Sequence, residues 1–267
     1  MNFAEGLFSA GFEWISWIIT MLVCLFALRK APWVTIYNDS SLQNRFLGCL
    51  VVIAFVWQMN VNLNIGVIIH FMGMTTLTLF FGWPLAILAG VIAQLVDTLW
   101  NGQSWSVVGC NLLFNVVIPV LASWWVHIRI EHFKPTNPFV FILGSGFFGC
   151  VFSTSLTTLA ALGSLKLFGV VELKLSVADY LGYLPIFVFP EAVVNGMFIS
   201  ATTILHPHAV VAFNEARYFK QSEREMILDE YIEPALDLEQ TEAPEEDEQD
   251  DSRYRPPKDW YDKDKDL

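Results

Sequence analysis

The sequence has few of the features that mark soluble enzymes. It contains no HExxH pair, no glycine-rich phosphate loop and no CxxC motif. Its four cysteines stand singly in apolar runs, a pattern typical of small core residues rather than of a metal or disulfide site. These absences predict a protein that is not an enzyme and that has no nucleotide site of its own.

Charge is also scarce along most of the chain, although the formal net charge is −12. Residues 1–220 carry nine acidic and nine basic side chains, so the whole excess lies in residues 221–267. This segment is charged, contains proline and has little apolar content, which is typical of a solvated, disordered tail. We therefore divide the chain into a transmembrane domain, 1–220, and an acidic cytoplasmic tail, 221–267. Nothing in this distribution indicates a nucleic-acid partner.

The first apolar run lacks the preceding Lys or Arg that a secretory signal would have. We interpret it as a membrane span, and six further runs have the length and composition of spans. The seven predicted spans are 7–28, 46–60, 65–82, 84–100, 105–127, 139–163 and 181–205. With 54% hydrophobic residues, the chain is predicted to be an all-α membrane protein, a bundle of about seven transmembrane helices in contact with the lipid of the cell membrane.

Basic residues are distributed unevenly between the predicted loops. With the N-terminus outside, eight fall on the cytoplasmic side: Arg29, Lys30, Arg45, Arg129, Lys134, Arg217, Lys220 and Arg224. Only Lys166 and Lys174 fall outside. Cytoplasmic loops are enriched in Lys and Arg, so the N-terminus is predicted outside and the C-terminus in the cytoplasm.

Ionisable residues inside spans are costly and therefore point to function. His70 lies early in the third span with Met72 close by, and imidazole and thioether groups bind transition metals. The alternative is a histidine that hydrogen-bonds between helices. Glu191 is a further ionisable residue within a span. Asn111 can bond a ligand or backbone groups across helices, and a packing hydrogen bond is its alternative role. Asp97 is near a span end, where we expect it to be solvated.

One serine suggests a different chemistry. Ser145 lies in a GSG segment similar to the serine environment of intramembrane proteases. No histidine at mid-depth follows it in the sequence, and His127, beside a basic loop, is expected to face solvent. The enzyme interpretation is therefore disfavoured.

Four motifs, in order along residues 1–205, resemble the substrate-binding membrane components of cobalt/nickel-type energy-coupling factor transporters, in a divergent proteobacterial branch. The first is MNFAEG, with Glu5 and Gly6 in the family's positions, and the second is HFMGMTTLTLFFGWP, beginning at His70. The others are GCNLLFNVVIP, which contains Asn111, and Glu191 followed by a nearby glycine.

The resemblance implies that the substrate is a divalent transition metal, nickel or cobalt, and that no cofactor is bound permanently. The implied ligands are the amine of Met1, the amide and side chain of Asn2, and the imidazole of His70. Asn2 stands where the family has a histidine, and a carboxamide is a poorer donor, so Met72 is the candidate replacement. We expect the start of the chain to fold into the bundle and Glu5 to hold it there, with Asn111 and Glu191 nearby.

Two functions are compatible with these observations. In the first, the chain is the substrate-binding component of an energy-coupling factor importer of the ABC type, working with a separate transmembrane coupling protein and ATPase subunits. In the second, it is a membrane scaffold or sensor whose acidic tail recruits a cytoplasmic partner.

Overall fold

Helices dominate the structure, a computed structural model in which residues 2–62, 67–168 and 177–219 are described. In chain order the helices are α1 (Ala10–Lys30), α2 (Trp33–Asn38), α3 (Ser40–Val56), α4 (Met74–Phe81), α5 (Trp83–Asn101), α6 (Val108–Leu112), α7 (Ile118–His132), α8 (Gly149–Leu167) and α9 (Val177–Leu205). A π-helical stretch, Leu113–Val117, joins α6 to α7, and a second, Val140–Phe148, leads into α8. The strands are β1 (Asn2–Phe3), β2 (Asn60–Asn62) and β3 (Val67–His70). Residue 1 and the predicted tail, 221–267, lie outside the described residues.

Five helical segments of the described chain are long and apolar enough to cross a membrane. They are Ala10–Lys30, Trp83–Asn101, Trp105–His132, Val140–Leu167 and Leu184–Leu205. They match five of the seven predicted spans and confirm a multi-pass membrane protein. On α1 the side chains of Trp14, Ile18 and Leu22 are exposed, as expected for a helix that faces lipid tails. The helix over the second predicted span, α3, is apolar and has 17 residues. The exact number of crossings and the orientation stay predictions.

The third predicted span, 65–82, is wrong as a continuous helix. Its described part begins as β3, turns at Gly73 in the left-handed backbone region (φ 67°), and becomes helical only in α4, which has eight residues. The sequence VIIH is rich in β-branched residues, which favour an extended backbone. The glycine then permits a turn that other residues adopt at a steric cost. This segment therefore enters the bundle as a strand followed by a short helix.

A three-stranded antiparallel sheet, in the order β1-β3-β2, departs from the all-helical prediction. Asn2 pairs with Ile68 and Phe3 with Val67, while Asn60 of β2 pairs with His70. Phe3 is buried, and its ring packs edge-on against Phe8 and Phe114 at centroid distances of 5.0 and 5.4 Å. The start of the chain is therefore an edge strand of this sheet, paired with β3, and the side chain of Phe3 is part of the main core.

Close helix packing in the bundle depends on small residues. A Cβ atom added at Gly109 of α6 would lie 2.6 Å from the ring of Trp17 and 2.9 Å from its backbone nitrogen. Thr20, one turn further along α1, donates a hydrogen bond to the carbonyl of Gly109 at 3.4 Å. Helix–helix contacts in membranes typically use small residues in this way. The absence of a side chain at Gly109 thus allows α1 to pack directly against α6.

The segment after α9 folds back against the end of α4. The backbone amides of Val211 and Ala212 donate to the carbonyls of Phe80 and Leu79 at 3.2 and 3.0 Å. Arg217 forms an ion pair with Glu131 of α7, and the hydroxyl of Tyr218 donates to the same carboxylate at 2.9 Å. Burial, together with this hydrogen bond, raises the pKa of Tyr218 to about 12. Residues 207–219 therefore pack as an ordered part of the transmembrane domain.

Candidate functional site

The side chain of Asn2 is buried, at 2% exposure, and both ends of its carboxamide are hydrogen-bonded. Its nitrogen donates to Asp97 Oδ2 at 2.5 Å. Its oxygen accepts a hydrogen bond from the Asn115 nitrogen at 2.7 Å. Asn2 is therefore held by side chains that lie about one hundred residues away in the sequence, on α5 and on the π-helical stretch after α6.

Asp97 is fully buried, which corrects the expectation that it is solvated at a span end. Besides Asn2, three side-chain amides donate to its carboxylate: Gln103 at 3.0 Å, Asn101 at 2.8 Å and Gln58 at 3.3 Å. No Lys or Arg of the described chain pairs with Asp97. The ion pair of the described residues is elsewhere, between Arg217 and Glu131. Amide groups alone satisfy this carboxylate, as a buried charge requires.

Asn111 and Asn115 both contact the start of the chain, and both are fully buried. The backbone N–H of Phe3 donates to Asn111 Oδ1 at 2.9 Å. Asn115 donates to Gln94 Oε1 at 2.9 Å as well as to Asn2. The two asparagines therefore lie on the side of this helical segment that receives residues 2 and 3.

His70 ends β3 and is almost fully buried. Its ring lies 4.7 Å from the ring of Trp57, and its Nδ1 is 3.3 Å from the carbonyl oxygen of Phe71. Trp57 in turn donates through Nε1 to the carbonyl of Met72 at 3.0 Å. In the register of the sheet, Asn2 lies opposite Ile68, so its side chain is diagonal to that of His70 on the same face.

Met72 and Glu191 line one cavity together with His70. The cavity has a volume of about 230 Å³, and its other lining side chains include Met59, Thr154 and Thr158. Glu191 Oε1 accepts a hydrogen bond from the backbone N–H of Gly73 at 3.1 Å, which ties α9 to the turn after β3. An imidazole, two thioethers, a carboxylate and two hydroxyls thus face a common space, and all are groups that can contact a metal ion.

Glu5 does not hold the start of the chain as expected. Its side chain is exposed, in a turn between β1 and α1, and it makes no hydrogen bond to the described part of the chain. Asp97 and Asn111 contact residues 2 and 3 instead. Met1, the first of the predicted ligands, lies outside the described residues.

Ser145 and His127 lie close together, although their positions in the sequence give no sign of this contact. Ser145 Oγ is 3.5 Å from His127 Nδ1, and both side chains are buried, so His127 does not face solvent. The histidine ring packs against Trp124 and Phe141. A nucleophile must reach its substrate, and this serine has no exposed surface. The pair therefore has the character of a packing contact between α7 and the π-helical stretch before α8.

Ligand side chains do not cluster in the usual way of a protein metal site. Among the described residues, no group of three or more His, Cys, Asp or Glu side chains could hold a metal ion. The four cysteines are free and separate, at positions 24, 49, 110 and 150. A metal bound near His70 would therefore need donors of other kinds, such as thioethers or backbone and terminal nitrogen atoms.

Sequence reasoning missed the amides that surround Asp97. Gln58, Asn101 and Gln103 lie at or just beyond span ends, where polar residues are ordinary. The density of amides was the available signal, because five Asn or Gln side chains fall between 94 and 115. The convergence of Gln58, Asn101 and Gln103 on Asp97 depends on packing that a linear pattern does not specify.

Comparison with known proteins identifies what the chain is similar to. Residues 2–209 match the family described as the cobalt uptake substrate-specific transmembrane region. No curated protein matches the chain.

Two solved structures share the fold. One is described as the crystal structure of a transition metal transporter. It is 18% identical, with a TM-score of 0.62, and the match covers 77% of this chain and 93% of that one. The other, a truncated transition metal transporter, is 19% identical with a TM-score of 0.61, and the match covers 77% and 99% of the two chains.

Proposed function

The chain belongs to the family of cobalt uptake substrate-specific transmembrane regions, and from this premise we propose that it is the substrate-binding membrane component of an energy-coupling factor importer whose substrate is Ni(II) or Co(II). Family membership makes it a membrane component of metal uptake. The coupling protein and the ATPase subunits that we propose as partners follow from the motif resemblance.

One observation carries the proposal: the start of the chain is a buried strand that pairs with the strand ending in His70. This arrangement supports a site in which His70 binds the metal together with donors from residues 1 and 2. With the proton on Nδ1, directed to the carbonyl of Phe71, Nε2 is the ligand atom of His70. The proposed set adds the amine of Met1 and the backbone amide of Asn2. Nitrogen donors of this kind suit divalent nickel and cobalt.

The cavity beside His70 supports a soft fourth donor. Met72 is buried and lines the same space as His70, and a thioether there would take the place of the imidazole that the family has at residue 2. Glu191, on the opposite element, adds a negative charge to the cavity, which favours a cation. The site we propose therefore has fewer imidazoles and more thioether character than the family pattern implies.

Metal binding by the purified protein tests this function. The full chain, with nothing added ahead of Met1 and any tag placed after Leu267, is titrated with NiCl₂ and with CoCl₂ by calorimetry. We expect His70→Ala to weaken binding by about 100-fold, at the upper end of the effect of losing a group from a metal site. His132→Ala is the matched control, because His132 is exposed at the end of α7. Equal affinity of His70→Ala and the parent would contradict the proposed site.

Transport is tested separately in cells. The chain is expressed with candidate coupling and ATPase subunits, and uptake of radioactive nickel or cobalt is measured. Uptake that requires these subunits and is lost in His70→Ala is the expected result. Metal binding without any subunit-dependent uptake would contradict the importer assignment while leaving the binding site intact.

A further inference from the structure

We propose that the side chain of Asn2 positions strand β1 and is not itself a metal ligand, and that the side chains of Asn2 and Asp97 form a latch that holds β1 closed over the substrate site. The inference rests on the proposed function for its consequence, which is metal affinity. The latch itself concerns only the described side chains and is testable without any metal.

Both ends of the Asn2 carboxamide already have a hydrogen-bond partner in the protein. A carboxamide could bind a metal through its oxygen, and this oxygen accepts a hydrogen bond from Asn115 at 2.7 Å. The nitrogen, which has no available lone pair, donates to Asp97 Oδ2 at 2.5 Å. Both functional atoms of Asn2 therefore contact the protein and not the cavity in which His70 lies.

Asp97 places a carboxylate within α5, a membrane-spanning helix. Ionisable residues in such positions are rare and costly, and they usually have a specific task. Asp97 accepts hydrogen bonds from four parts of the bundle: β1, the turn after α3, the end of α5 and the loop after α5. Hydrogen bonds to a charged acceptor are stronger than those between neutral groups. Of these four donors, only Asn2 belongs to the start of the chain, so its hydrogen bond is the one that ties β1 to Asp97.

The register of the sheet places Asn2 close to His70. Asn2 lies diagonally across from His70 on the same face of β1 and β3. Releasing Asn2 from Asp97 would free the first residues of the chain to leave β3, together with any ligand atoms that they carry. The latch thus affects metal affinity indirectly, by fixing the position of β1. Hydrogen-bonding groups around a metal site commonly orient its ligands in this way.

Hydrogen exchange in the metal-free protein tests the latch directly. Exchange is followed by mass spectrometry in the peptide that covers residues 2–8 of the full chain in detergent. In Asn2→Ala we expect exchange at least about tenfold faster, which is the factor that a lost hydrogen bond to a charged group supports. Gln43→Ala is the matched control, since Gln43 of α3 is also an amide donor but gives its hydrogen bonds to the carbonyls of Ile36 and Tyr37 and not to Asp97. This control is expected to exchange like the parent.

A paired substitution separates the latch from a general packing effect. Asn2→Asp alone brings two carboxylates together and should open the strand, and Asp97→Asn alone weakens the contact. Combining Asn2→Asp with Asp97→Asn reverses the direction of the hydrogen bond, so we expect the double variant to recover most of the lost protection. A double variant whose exchange equals the sum of the two single effects would contradict a direct contact.

Metal affinity then distinguishes this proposal from the function on which it rests. With NiCl₂ as the probe, Asn2→Ala should bind about 10- to 100-fold more weakly than the parent, in parallel with its faster exchange. Weaker binding with unchanged exchange would make the side chain of Asn2 a ligand and overturn the latch. Faster exchange in Asn2→Ala than in the parent, together with a parent that binds neither nickel nor cobalt, would sustain the latch and refute the proposed function.

Discussion

At the scale of single residues, the chemistry of a side chain was predictable, but its partner was not. The sequence identifies Asn2 as a weak metal donor, because a carboxamide coordinates Ni(II) or Co(II) less well than an imidazole. It does not show that the same carboxamide meets Asp97, which is 95 positions away. Asp97 was expected in solvent, and its buried place among four amides appears only in the packed structure. His70 and Glu191, by contrast, share a cavity, which agrees with the separate arguments from polarity within spans.

Replacing Asn2 by histidine is expected to strengthen metal binding. An imidazole at this position could donate one N–H to Asp97 and offer its other nitrogen to the metal, the arrangement that commonly orients histidine ligands. We expect Asn2→His to bind Ni(II) about 10- to 100-fold more tightly than the parent, measured by calorimetry. Asn2→Gln, which keeps the amide and adds no imidazole, is the control. Equal affinity of Asn2→His and the parent would exclude residue 2 from the immediate surroundings of the metal.

At the scale of elements, hydropathy found the long helices and misjudged the third span. A window of apolar residues does not distinguish a strand that is buried in a bundle from a helix, because both need apolar side chains. The β-branched run before His70 and the glycine after Met72 were the signals for a strand and a turn. The partner strand, β1, has only two residues, too few for any periodicity. The apolar start of the chain, which has no Lys or Arg, led to the expectation that it folds inward, but its pairing with β3 could not be predicted from the sequence.

Close packing of α1 against α6 predicts a specific cost for a single methyl group. In Gly109→Ala the new Cβ would meet both the ring and the backbone of Trp17, so the two helices must separate. We expect the free energy of unfolding to fall by about 1–3 kcal/mol, the usual effect of overpacking. Gly163→Ala, in α8, is the matched control, because a Cβ there meets nothing within 4 Å. Thermal unfolding in detergent compares the two, and equal midpoints would show that α1 can shift freely on α6.

At the scale of the whole molecule, acidic and basic side chains are unevenly distributed. Residues 1–220 combine a neutral formal charge with two separate buried carboxylates, Asp97 beside Asn2 and Glu191 in the cavity beside His70. Basic residues collect near the predicted cytoplasmic face, where Arg217 pairs with Glu131 in the described part of the chain. Glu191 lines the cavity beside His70, and no Lys or Arg of the described residues does. The charge pattern therefore fits inward transport of a metal cation.

Orientation in the membrane follows from the same asymmetry and is the last prediction. Eight basic residues on one side against two on the other favour an outer N-terminus and a cytoplasmic C-terminus. Fusions of a reporter that is active only in the cytoplasm should be active after Lys30, Lys134 and Lys220. A fusion at Gly102, which ends α5, should be inactive, and a reporter active only outside should give the reciprocal pattern. Since residues 2 and 3 and His70 share one sheet, a cytoplasmic signal at Gly102 would reverse the map, place this sheet toward the cytoplasm and contradict capture of the metal from outside.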